Sequence, residues 1–166
     1  MRSLLLLLLL AASQVGAAQQ GLVRWAYGPF ATPGDAAYVV ERGHIYQACG
    51  PFGSRGSCLF VFNEDQVFRT NDGMGSRGPG AYLAEENKLY RCAGAFCNRG
   101  QGVLLLEGNK VFRCDGAFCN KGEGAFILEG NRVFLADGPF ANKCDAILIV
   151  EGDVPMIALL AILAGI

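Results

Sequence analysis

Four cysteines stand in two C-x4-C pairs, Cys92/Cys97 and Cys114/Cys119, with sixteen residues between the pairs. Four thiolates so spaced could close a tetrahedral zinc site. The same thiols could instead pair as disulfides, within each loop or between neighbouring units. Disulfides need fewer assumptions, because the chain opens with an export-type segment that implies an oxidising compartment. Cys49 and Cys58 are expected to form a separate bridge around the Gly50 to Ser57 loop. Seven cysteines leave one thiol over, and Cys144 is the candidate because no other repeat carries cysteine there.

Acid–base chemistry has little to work with. The one histidine, His44, stands where other repeats carry Lys or Arg, and a surface pair with Glu41 is the expected role. Glu41, Glu85, Glu107, Glu129 and Glu151 form one row, with Lys88, Lys110 and Arg132 as expected partners. Arg55, Arg77, Arg99, Lys121 and Lys143 form a second row, in the loops. The plain reading of both rows is surface pairing; the sharper one is a strip for an anionic partner. Asn63, Glu64, Asp65, Asn71 and Asp72 could offer oxygens to calcium, but they lack the spacing of a known loop. No nucleophile elbow, phosphate loop or dinucleotide fingerprint is present. No cofactor, metal or catalytic residue is therefore expected.

The elements that must position these groups repeat every 22 residues without insertion. Phe30, Phe52, Met74, Phe96, Phe118 and Phe140 mark the period. Each unit reads as a hairpin. Val103 to Glu107 is a short apolar strand, Gly108-Asn109 a type II′ turn, and Lys110 to Cys114 a second strand rich in β-formers. The turn sets the register, placing Glu107 opposite Lys110, Leu106 opposite Val111, Leu105 opposite Phe112 and Leu104 opposite Arg113. Leu104, Leu106 and Val111 then share one face, and Leu105 and Phe112 the other, flanked by Val103 and Cys114. Both faces are apolar, so each hairpin should be covered on both sides. Phe118 is expected to plug a hole beneath its loop. Aromatic ladders at Tyr38, Phe60, Tyr82 and Phe126, and at Tyr46, Phe68, Tyr90, Phe112 and Phe134, read as core.

The ends differ from the interior. Residues 1–18 have the layout of a signal peptide, with Arg2, the run Leu4 to Leu10, and small residues up to Ala18. Removing it leaves 13 basic against 15 acidic side chains, a balance that argues against nucleic acid as a partner. Leu22 to Phe30 looks like half a unit. Ala146 to Gly152 matches a first strand, after which the apolar 153–166 segment should act as a cap, with a helix start at Asp153-Val154-Pro155. Two half units could alternatively pair and close a ring.

In plan, the hairpin-plus-glycine-loop repeat resembles the choline- and glucan-binding repeats of bacterial surface proteins. The Gly-x-Phe-x3-Gly-x-Gly run (Gly94 to Gly102, Gly116 to Gly124) resembles MORN repeats. The likeness covers the architecture from about Leu22 to Gly152 and transfers no functional residue. The expectation is an all-β domain over 22–152, a tandem array of 22-residue hairpins stacked as a solenoid or closed ring. It would be exported to the periplasm, the cell surface or the medium of a bacterium. There it would serve as a structural or binding module without catalysis, presenting a repeated surface to a protein or polysaccharide of the envelope. The alternatives are a self-associating extracellular filament, built by exposed terminal strands, and a small hydrolase-type enzyme around His44 and Arg69 to Gly80, where the repeat is weakest.

Overall fold

The computed structural model describes residues 20–166. The expected signal peptide lies outside the described residues. Twelve antiparallel strands follow in order: β1 (Gly21–Tyr27), β2 (Thr32–Glu41), β3 (His44–Cys49), β4 (Ser54–Phe62), β5 (Gln66–Thr70) and β6 (Arg77–Glu85). The second half comprises β7 (Lys88–Ala93), β8 (Asn98–Glu107), β9 (Lys110–Asp115), β10 (Asn120–Glu129), β11 (Arg132–Asp137) and β12 (Asn142–Glu151), followed by helix α1 (Met156–Leu163). Each strand pairs with the next in sequence, and β1 pairs with β12, so the sheet is a closed barrel.

Closure is made by the two half units. Val150 faces Val23 and Leu148 faces Trp25, as Leu128 faces Val133 and Phe126 faces Leu135 within the hairpin β10–β11. The chain ends thus build a sixth hairpin from separate strands, and neither terminal strand leaves a free edge. Pro155, which falls where Val133 sits in the preceding unit, is not in an edge strand. It is the residue at which α1 begins.

Local chemistry explains each hairpin. Gly108 and Gly130 have φ of 61° and 59°, while the asparagines after them keep negative φ, the pattern a type II′ turn requires. Glu86 holds the same conformation, with φ 55°. At Arg42-Gly43 both φ are positive, 51° and 77°, as in a type I′ turn. The register across β8–β9 is Glu107 to Lys110, Leu106 to Val111, Leu105 to Phe112 and Leu104 to Arg113, as the turn predicts.

Away from these turns every ladder slips. Leu89 faces Leu104, but the next residue, Tyr90, faces Gly102, leaving Val103 unpaired in a bulge. The bulge turns Gly102 to the outside and brings Val103 to the inner cluster rather than to the side of Leu105 and Phe112. All six such ladders slip in this way. The hairpin beyond each slip leans over the outer wall of the hairpin before it. Thus the amide of Gly124 donates to Gly138 O at 2.9 Å, and that of Cys58 donates to Gly73 O at 2.6 Å.

Two apolar layers result. Inside, Val23, Ile45, Val67, Leu89, Val111 and Val133 line the barrel at 22-residue intervals, all essentially inaccessible to water. Burying each is worth roughly 1.5–3 kcal/mol. They surround α1, of which Ala158 to Leu163 are buried in the same cluster. A helix apolar on every side is stable only where every side is covered. The C-terminal segment therefore caps the apolar interior from within it. Outside, Phe112, Leu105 and Tyr90 pack under Cys119 and Ala141 of the leaning tips.

Candidate functional site

The leaning tips carry most of the residues singled out by the sequence. Cys92 bonds Cys97 and Cys114 bonds Cys119, so the C-x4-C pairs are disulfides within their own loops. Cys144 is free and exposed, but so is Cys49, and Cys58 is free and buried. The expected Cys49–Cys58 bridge does not form. Cys49 stands one residue beyond the bridging position, which Ala48 occupies in its unit. Cys58 takes the place of Gly80 and Gly102, beneath the next tip, where its thiol donates to Phe60 O at 3.4 Å. Burial pushes the Cys58 thiol up from its ordinary range.

The basic row is engaged internally. Arg55 meets Glu41 at 3.1 Å, Arg99 meets Glu85 at 3.1 Å, Lys121 meets Glu107 at 2.5 Å and Lys143 meets Glu129 at 2.6 Å. These same cations lie over the outer aromatic ladder, Lys121 at 4.1 Å from the Phe112 ring centre and Lys143 at 4.1 Å from that of Phe134. Arg77 has no glutamate, because Asn63 fills that place in the row, and it lies 3.4 Å from the centre of the Phe68 ring. Glu151 is taken by Arg24 at 3.2 Å. The expected partners of the glutamate row act elsewhere. Lys88 donates to Phe118 O at 3.1 Å and Lys110 to Phe140 O at 2.7 Å, each tying down a tip of a later hairpin.

His44 lies opposite Glu41 in the ladder, yet its Nδ1 contacts Arg42 O at 2.9 Å while Glu41 turns to Arg55. Its ring stacks on Tyr46 beneath Gly75, where an added Cβ would come within 2.9 Å of the imidazole. The oxygen-rich residues nearby cap turns. Asn63 Oδ1 accepts from Asp65 and Gln66 amides, and Asp72 Oδ1 accepts from Met74, Gly75 and Ser76 amides. The Ser76 hydroxyl, which donates to the other Asp72 oxygen, and these amides hold the Asp72 carboxyl below its ordinary value.

One feature runs against the sequence reading. Phe118 plugs nothing. It and its equivalents Phe30, Phe52, Met74, Phe96 and Phe140 are 76–91% exposed, one on each tip. Five tips are four-residue turns closed by a bond from the fourth amide to the first carbonyl, at 3.1–3.4 Å, with the phenylalanine third. A side chain at the middle of so tight a turn points away from the strands that lead into it. The pattern Gly-Pro-Phe or Gly-Ala-Phe carried that signal. Closure of the ring sets six apolar side chains around its circumference, and the strands that leave the tips of Phe52, Phe96, Phe118 and Phe140 each begin with a cation paired to a glutamate.

A closed ring of six β-hairpins around an apolar helix is the class of protein that this architecture defines. No protein-family model matches the chain, and no curated protein or solved structure does so either.

Proposed function

We propose that this protein is an exported or envelope-associated binding module without catalytic activity, which offers one apolar contact six times to a protein partner. The belt of Phe30, Phe52, Met74, Phe96, Phe118 and Phe140 carries this reading. Single exposed apolar residues are common on any surface, but the same one at every equivalent place is not scatter. Phenylalanine and methionine are enriched where proteins meet. A polysaccharide is the weaker fit, since Met74 keeps the apolar character of the row and loses the flat ring that stacks on a sugar. An anionic partner is weaker still, because four of the five residues of the basic row are spent on Glu41, Glu85, Glu107 and Glu129, and the fifth, Arg77, lies over the Phe68 ring. Two disulfides suit an oxidising compartment. Filament growth by strand addition would first have to part β1 from β12.

The test is retention of an envelope protein by the immobilised full chain, compared with a variant in which Phe96, Phe118 and Phe140 are serine. The triple variant should keep its melting temperature and lose the partner. Retained binding there, with loss in an Arg99→Gln, Lys121→Gln variant, would return the interaction to the basic row. Retention of purified wall polysaccharide alone would replace the protein partner with a glycan.

A further inference from the structure

Beyond its aliphatic lining, toward the rim of the tips, the inner wall carries one further row. Val67 faces Tyr82, which faces Arg91. In the same way Ile45 faces Phe60, which faces Arg69, and Leu89 faces Leu104, which faces Arg113. Residues directly opposite one another share a face of the sheet, so these three arginines point into the barrel with Val67, Ile45 and Leu89. Trp25 holds the equivalent place in β1 and packs against the inner cluster. All three arginines are nevertheless exposed. Helix α1 begins at the opposite rim, beside Asn63-Glu64 and Gly130-Asn131. The barrel is therefore open to water at the rim of the tips, and three successive hairpins line its mouth with arginine.

Charge in this mouth is divided. Arg69 stands between Phe60 on β4 and the bulge Gly78-Pro79 on β6, and Arg91 between Tyr82 on β6 and the bulge Gly100-Gln101 on β8. Asn71 and Ala93, two residues further along each strand, are also uncharged. Arg113, by contrast, is opposed by Gly122-Glu123 and followed by Asp115. Asp137, Asp145 and Asp35 continue this acidic arc at equivalent places round the ring. Helix α1 brings no charged side chain. Among the described residues, Arg69, Arg91 and Arg113 take part in no ion pair, and Arg69 lies 6.0 Å from the centre of the Phe60 ring. Arg69 and Arg91 are two strands apart and two residues out of step, which sets their Cα atoms roughly 12 Å apart. Two long side chains converging across that gap can reach one small anion.

We propose that Arg69 and Arg91, in the mouth of the barrel, bind a dianionic phosphate group, that of a phosphate monoester or of free phosphate. One guanidinium fork already satisfies both oxygens of a carboxylate. Two forks with no carboxylate beside them match a group of two charges and three terminal oxygens. The acidic arc repels the same ligand from the rest of the mouth. The site lies inside the ring and is independent of the tip belt.

Phenyl phosphate and inorganic phosphate, titrated separately into the full chain at low salt and about pH 8, where both are dianions, test this. Calorimetry and arginine Nε resonances follow the binding. One saturable site is expected, with shifts centred on Arg69 and Arg91. A tighter hold on phenyl phosphate assigns the site to monoesters, and equal affinity assigns it to phosphate itself. Arg69→Gln and Arg91→Gln, both at exposed positions, should each weaken binding about tenfold, while Arg132→Gln at the opposite rim should not. Benzoate bound within twofold of phenyl phosphate would overturn the proposal. So would unchanged affinity in the Arg69→Gln, Arg91→Gln double variant, an equal loss in Arg132→Gln, or no binding of either phosphate.

Discussion

The Cβ of Cys119 lies 2.5 Å from where a Cβ on Gly102 would stand. The same relation joins Ala141 to Gly124 at 2.5 Å and Cys97 to Gly80 at 2.9 Å. Where the tip residue is itself glycine, at Gly53 and Gly75, the residue beneath is Ala36 or Cys58. At these five places glycine faces a larger residue seventeen positions away, and this complementarity lets the tip lie flat on its neighbour; at the closure of the ring the equivalent residues are Ala31 and Ala146.

Gly124→Ala should therefore lift the tip that carries Ala141 and cost about 1–3 kcal/mol. Adding Ala141→Gly should recover part of the loss, since the pair is coupled through one contact. Denaturant unfolding of both singles and the double measures this. Strictly additive effects would mean that the contact does not limit packing.

Glu86 holds a φ of 55°, where its equivalents are Gly108 and Gly130. Glu86→Gly is expected to raise stability by about 1 kcal/mol, relief of strain outweighing the freedom added to the unfolded chain. A fall in the urea midpoint would show that the turn tolerates a side chain at no cost.

Ala161 is 1% exposed inside the ring. Ala161→Asp would place a charge among aliphatic side chains, and a loss of more than about 3 kcal/mol is expected. The single tryptophan, Trp25, packs against the same inner cluster and should shift its emission to the red if the ring opens. An unchanged spectrum and midpoint would mean that α1 is dispensable to the barrel.

The Asp72 loop should respond to acid. Its carboxyl is held below the ordinary value of 3.8, so its contribution is complete above that value and is lost as pH falls through the lowered one. Amide resonances of Met74, Gly75 and Ser76 should move together, with a midpoint below 3.8. A midpoint at or above it would remove the hydrogen bonds from the account, and Asp72→Ala should abolish the transition.

Much of this was legible locally. Gly108-Asn109 and Gly130-Asn131 announced their turns, and once the turn is known the partner of each residue in Val103 to Arg113 follows. The two apolar faces of that hairpin were also correctly assigned, except for Val103, which a bulge carries to the other side. Bulges depend on contacts with a third strand and leave no mark in a two-strand pattern. The Cys49–Cys58 bridge failed for a related reason. Nearness in the chain suggested it, while the lean of the tips put Cys58 under Gly75 and left Cys49 outside. The exposure of Phe118 was readable from its place within a four-residue turn, but hydrophobicity argued the other way.

Repeat length, hairpin chirality, turn type and the apolar character of both faces are properties of neighbouring residues, and the chain determines them by itself. Closure after six hairpins is not such a property. It requires the accumulated twist of twelve strands to bring Val23 back to Val150, and an interior wide enough to need a helix to fill it. Only the assembled ring could decide that Ala158 to Leu163 turns inward, because this apolar surface finds cover on all sides nowhere else in the molecule.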